Sequence, residues 1–290
     1  MTVMSGQLDR GQDGLADRST IVSQLIVELE RLPASRAAAL RVVQVVDDPA
    51  MGAAEAATAV SADPALTARI LRLANSVYYG LSGRVASPAF AITVIGFQTV
   101  RSLAVVSAAG LGGPDAFPEG FWVRSAAVAS GASLVARRVG AGTAEAFSTG
   151  LLHDLGSALL RSHDRAGYDE IIRSNSLGGE PIAVQELRTY GGTSAYLLSE
   201  VLRSWRFPPE MCEAIGRRYD VADRRAAPMV RALHGGLALA ALAGNGDPSA
   251  LPGPAAQAAL AAAAVKPEDL GELVVKVREA SEQLAAAFTS

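Results

Sequence analysis

Residues 63–80 read Asp63-Pro64-Ala65-Leu66-Thr67-Ala68-Arg69-Ile70-Leu71-Arg72-Leu73-Ala74-Asn75-Ser76-Val77-Tyr78-Tyr79-Gly80, a helix with a marked start and an unusual end. Asp63 can accept a hydrogen bond from the first free backbone amides, and Pro64 suits the first helical position, where no amide hydrogen is needed. Leu66, Ile70, Leu73 and Val77 recur at three and four residues and form one apolar stripe, with Arg69 and Arg72 off its centre. Asn75 and Gly80 tolerate the left-handed backbone that closes a helix. The turn from Asn75 to Gly80 is expected to be buried between two lobes of the fold, with at least one of Tyr78 and Tyr79 packing its ring and bonding its hydroxyl.

The helical pattern extends outward from this stretch in both directions. It begins with Ile21, Leu25, Val27, Leu29 and Leu32, and no sustained alternation of period two interrupts it. Half of the 290 residues are hydrophobic but only 5% are aromatic, so a core of Ala, Leu and Val must come from closely spaced helices. The class is all-α. A seam rich in Gly and Pro, Gly110 to Pro118, divides a body at 20–243 into lobes at 20–112 and 118–243. Residues 1–19 lack an apolar run and read as a disordered N-terminal segment. The break from Gly244 to Pro254 sets apart a helical appendage at 244–290, where Leu270, Leu273, Val274, Val277 and Leu284 form one stripe. That stripe is expected to pack back on the chain's own body. A single helix is expected over 143–161.

The net charge of −3 gives no overall attraction for nucleic acid, and a basic pair, Arg69 and Arg72, beside Tyr78 and Tyr79 is too little to reverse that. No apolar window reaches the ~20 residues a membrane span needs, so a cytoplasmic protein is expected. The one cysteine, Cys212, excludes an internal disulfide and lies in an apolar stripe with Met211 and Ile215.

Several segments, taken in order, resemble the HDOD family, the HD-related output domain of bacterial signalling proteins. They are Leu32-Pro33 through Arg41 and Val45 to Asp48-Pro49, the opening stretch, and Ala91-Ile92 through Ile95-Gly96-Phe97 to Val100-Arg101. Phe121-Trp122, Gly150-Leu151-Leu152-His153-Asp154-Leu155-Gly156 and Trp205-Phe207-Pro208 continue the likeness, which covers roughly residues 20–222. The resemblance implies a two-lobed fold whose C-terminal lobe is HD-like.

It also points to His153-Asp154, since an adjacent His and Asp are the central metal ligands of the HD phosphohydrolases. A catalytic metal needs about three or more converging protein ligands and an open position. Aligned on the resemblance, the remaining ligand positions fall at Arg124, Ser194, Arg218 and Tyr219, none of them a metal ligand of that pattern. His163 is expected to point away from His153, and His234 to be a packed residue. No metal, cofactor or catalytic residue is therefore expected. Arg124, Arg217 and Arg218 together with His153, Asp154 and Ser194 form the candidate ligand site, because guanidinium groups can hold a phosphate or carboxylate. The reading is a non-catalytic signalling module that works through a protein partner and leaves room for a nucleotide or other anionic ligand and for a homodimer. The alternatives are an atypical phosphohydrolase or cyclic-dinucleotide phosphodiesterase, and a nucleotide receptor that does not hydrolyse its ligand.

Overall fold

The structure, a computed structural model, describes residues 21–27, 29, 37–48, 50–81, 83–109, 117–245 and 253–289. Residues 1–19, the Leu32-Pro33 pair and most of both Gly- and Pro-rich seams lie outside these. All regular structure among the described residues is helical. The first lobe holds α1 (21–27), α2 (Ala37–Asp47), α3 (Ala53–Ser61), α4 (Pro64–Ala74), α5 (Pro88–Ile95) and α6 (Phe97–Ala108). The second holds α7 (Phe121–Val139), α8 (Thr143–Leu152), α9 (Leu155–His163), α10 (Arg165–Ser176), α11 (Ile182–Tyr190), α12 (Ser194–Ser204), α13 (Pro209–Gly216) and α14 (Pro228–Ala240). Two further helices follow, α15 (Gly253–Ala262) and α16 (Pro267–Thr289).

Helix α4 starts as its sequence requires. The Asp63 side chain accepts from the Leu66 amide at 3.0 Å, and its other oxygen accepts from the Ser107 hydroxyl of α6 at 3.0 Å, so one residue both caps α4 and fastens it to a neighbour. Leu66, Ile70 and Leu73 are fully buried, but Val77 is 62% exposed. The stripe stops short of Val77 because α4 ends at Ala74 and the chain re-forms as a 3-10 turn at Val77–Tyr79. Gly80 takes the left-handed backbone that ends this turn, with φ 68°. Asn75 does not; it stays right-handed, and its amide instead bonds both Val85 backbone groups, at 2.7 and 2.9 Å, clamping the following loop. Tyr78 and Tyr79 are half-buried, their hydroxyls paired with Ser133 of α7 and Thr99 of α6, and the Tyr78 ring lies 5.6 Å from that of Phe147 in the second lobe.

The two lobes share a continuous apolar cluster that runs from Val22, Leu66 and Ile92 to Leu151, Leu197 and Ile215. Arg101 of α6 reinforces the junction. Its guanidinium donates to the Trp205 and Arg206 carbonyls, both at 2.8 Å, and lies 4.0 Å from the centre of the Phe207 ring. A second cluster joins α7, α14, α15 and α16. There α7 and α14 approach closely, since a Cβ on Gly236 would stand 2.6 Å from the Ala132 backbone nitrogen; α7 and α8 do so too, where one on Gly150 would stand 2.6 Å from the Ala129 Cα.

The appendage packs on the body. Leu273, Val277 and Leu284 are buried, α16 lies along α7 and also touches α4 and the Val77–Tyr79 turn, and Arg138 pairs with Asp269 at 2.6 Å. No single helix among the described residues is long and apolar enough to cross a membrane. The apolar pair α5 and α6 bends by 110° at Gly96, and nearly all of α6 is buried in the core.

Candidate functional site

The expected helix over 143–161 is two helices. Helix α8 ends at Leu152 and α9 begins at Leu155, so His153 and Asp154 occupy the turn between them, where Asp154 takes a non-helical backbone. Packing explains the break. A Cβ at Gly156 would stand 2.1 Å from the Ser194 carbonyl oxygen, so the first turn of α9 is pressed directly onto the start of α12. This brings the Ser157 hydroxyl to 3.3 Å from that of Ser194 and turns the Asp154 carboxylate inward.

Arg218, just beyond α13, meets that carboxylate. Its Nη1 donates to Asp154 Oδ1 at 2.7 Å and to the His153 carbonyl at 2.6 Å; its Nη2 donates to the hydroxyls of Ser157 at 3.2 Å, Ser194 at 3.3 Å and Tyr219. Ser157 also donates to Asp154 Oδ1. Both charged side chains are almost wholly buried, at 3% and 8% exposed. Behind them lies a second buried carboxylate, Glu186 of α11, which accepts from the Ser194 amide at 2.8 Å, the Ser194 hydroxyl at 3.0 Å and the Tyr168 hydroxyl at 2.6 Å. One guanidinium thus serves one carboxylate, one backbone carbonyl and three hydroxyls, and Ser194 links it to the second carboxylate.

The electrostatics follow from that arrangement. Burial works against ionisation of Asp154, but Arg218, His153 and the Ser157 hydrogen bond outweigh it and hold the carboxyl below its ordinary range. Glu186 shifts the other way. Its burial raises the carboxyl above the usual value, against the pull of Arg218 and the hydrogen bonds from Tyr168 and Ser194. Burial also raises the Tyr168 hydroxyl, helped by the neighbouring carboxylates and Tyr219.

Metal does not fit this donor set. A guanidinium has no lone pair to give, and Arg218 places its own fixed charge against Asp154. His153 Nδ1 donates to the Gly150 carbonyl at 2.7 Å, within its own turn. Among the described residues no group of three or more His, Cys, Asp or Glu side chains is arranged to hold a metal ion.

The model of the HDOD domain matches residues 32–221. The chain belongs to the HDOD family. A candidate phosphohydrolase of Shewanella amazonensis SB2B is similar in structure, with a TM-score of 0.70 and 26% identity over 93% of this chain and 98% of that one. A candidate signal transduction protein of Marinobacter aquaeolei VT8 has a TM-score of 0.68 and 21% identity over 97% of this chain and 67% of its own. An HDOD domain protein of unknown function from Geobacter sulfurreducens has a TM-score of 0.65 and 20% identity, covering 93% and 99%. The last two show a shared fold. No curated protein matches the chain.

Within this HDOD fold the six residues singled out from sequence separate. His153, Asp154, Ser194 and Arg218 come together. Arg124 sits at the start of α7 and donates to the Glu119 carbonyl at 2.7 Å; it lines the same cavity as Asp154 and Arg218 without joining their network. Arg217 lies apart: it is paired with Asp220 at 2.7 Å and Glu213 at 3.4 Å on the outer face, because α13 ends there and consecutive residues diverge. His163 is exposed and His234 is buried against the Arg217 carbonyl at 2.9 Å. Cys212 is fully buried. Sequence reasoning missed Ser157, Tyr168 and Glu186. A signal for Glu186 was present: Ile182, Glu186 and Tyr190 follow at four-residue spacing, which places an acid on the buried face of α11.

Proposed function

We propose that this HDOD protein is a non-catalytic, cytoplasmic signalling module that acts through protein contacts. The observation that carries the reading is the Arg218–Asp154 pair. A cation that belongs to the chain occupies the place where the related phosphohydrolases would need an exchangeable one, and it is tied down by hydrogen bonds on both nitrogens. Such a site is suited to rigidity rather than turnover. The Ser157 hydroxyl lies against Asp154, and that carboxylate, held ionised by Arg218, is a poor base for activating it; the Ser194 hydroxyl lies against Glu186 but is tied at the same time to Arg218 and Tyr219. The apolar junction between the lobes and the Arg101 contacts would transmit a displacement of one lobe to the other as a rigid body.

The test is metal analysis and phosphoesterase assay of the purified chain beside His153→Ala. We expect no stoichiometric zinc, iron or manganese, no hydrolysis of phosphomonoesters or cyclic dinucleotides, and a signalling output that survives the substitution. Stoichiometric metal that disappears in His153→Ala, together with hydrolysis, would overturn the reading in favour of a phosphohydrolase.

A further inference from the structure

A cavity of about 420 Å³ opens over the buried network. Its volume falls within the range of roughly 300–1,000 Å³ typical of small-molecule sites. Asp154, Ser157 and Arg218 lie at its floor, Pro118, Ile172 and Ile182 supply apolar wall, and Arg124, Arg161 and Arg173 add positive charge. Most of that charge is already committed. Arg218 is held by Asp154 at 2.7 Å, Arg161 is bound two-pronged by Asp169 at 2.6 and 3.1 Å, and Arg173 pairs with Glu170.

Arg124 differs. Among the described residues its one hydrogen bond runs from Nη1 to the Glu119 carbonyl at 2.7 Å. Its Nε–H is buried from solvent and has no hydrogen-bond partner among the described residues. A buried donor without an acceptor is costly, and native structures rarely keep one that nothing ever satisfies. With Nη1 occupied, the edge left over is Nε and Nη2, the same edge with which Arg161 grips Asp169. That edge matches two oxygens of a carboxylate or phosphate. Glu119 does not fill it: the residue is exposed, and its carbonyl rather than its carboxylate meets Arg124.

We propose that this cavity binds a small organic oxyanion, a phosphate monoester or a carboxylic acid, with the Arg124 guanidinium holding the anionic group, its side chain turning to bring the now buried Nε–H to the ligand, and the Pro118, Ile172 and Ile182 wall receiving the rest of the molecule. This rests on the non-catalytic reading, in that the ligand is held without turnover. The Arg218–Asp154 pair beneath it is a positioning element, which keeps the floor rigid and already neutral.

The experiment is isothermal titration calorimetry of the full chain with adenosine 5′-monophosphate, benzoate, inorganic phosphate and adenosine. The site predicts saturable binding of at least one of the first two, tighter than inorganic phosphate, and none for adenosine. Adenosine 5′-monophosphate binding above benzoate identifies a phosphate source, and the reverse identifies a carboxylate. Arg124→Ala should weaken the bound anion by roughly tenfold or more. Arg124→Lys, which keeps the charge but lacks the planar fork, should weaken it as well, and serves if the alanine variant fails to fold. Arg217→Ala, outside the cavity, should leave binding unchanged. Absence of saturable binding by either organic anion at millimolar concentration, or affinity unchanged in both Arg124 variants, would overturn the proposal while leaving the non-catalytic reading intact. Hydrolysis of bound adenosine 5′-monophosphate would do the opposite, preserving the site and sinking that reading.

Discussion

Asp154 and Arg218 are buried charges that depend on each other, so removing one strands the other. Arg218→Met should cost about 3–5 kcal/mol in urea denaturation, because Asp154 then remains in the core without its cation. Adding Asp154→Leu to that variant should recover much of the loss, since an apolar pair of similar volume needs no compensation. The pair also makes a pH-dependent contribution with a definite sign. The Asp154 carboxyl is depressed in the folded state, so its stabilisation is complete above the unfolded value of about 3.9 and is lost as pH falls through the lower folded value. Glu186, raised by burial, runs the opposite way: it favours the folded state most at low pH and loses that contribution as pH rises through its folded value. The stability difference between the native chain and Asp154→Asn should therefore stay constant from neutral pH to about pH 5 and shrink below about pH 4, measured by denaturation at each pH.

Helix contacts in the second lobe are set by absent side chains. Gly150 of α8 faces the Ala129 backbone of α7, where a Cβ would meet Cα and N at 2.6 and 2.7 Å. Neither atom can swing aside, as the end of a flexible side chain could. Gly150→Ala should therefore destabilise by about 1–3 kcal/mol, through forced separation of two helices. Gly271, in the first half of α16, has nothing within 4 Å of the same position. There the substitution should stabilise by about 0.5–1 kcal/mol, because alanine gives up less backbone entropy on entering a helix. Melting temperatures moving in opposite directions would establish the contrast; equal shifts would show that α7 and α8 can part without cost.

The whole molecule is held by a strap. Helix α16 crosses from Leu273 and Val277, in the cluster around α14, to Ala280 and Leu284, in the cluster that spans both lobes. Truncation after Asn245 removes that bridge and uncovers the apolar faces of α7 and α14. We expect a clear fall in melting temperature together with aggregation in light scattering, and a loss of about 2–5 kcal/mol for the single change Leu284→Ala. A truncated chain that melts with the intact one would show that α16 contributes nothing to the body.

The sequence by itself determined the helices, the capped start of α4 at Asp63 and the absence of a complete metal-ligand pattern around His153-Asp154. These rest on periodicity, caps and residue chemistry, which act over a few positions. It could not determine that the chain breaks between α8 and α9, because the cause is the backbone of Ser194, 38 residues after Gly156, and local propensity favours an unbroken helix there. Nor could it separate Arg217 from Arg218. Adjacent arginines are equivalent in composition, and only the end of α13 sends one to solvent and the other into the core. Glu186 was half legible, its buried position written in the spacing of α11, its partners not. Those partners, Tyr168 and Ser194, come from α10 and α12, and tertiary packing alone brings them together.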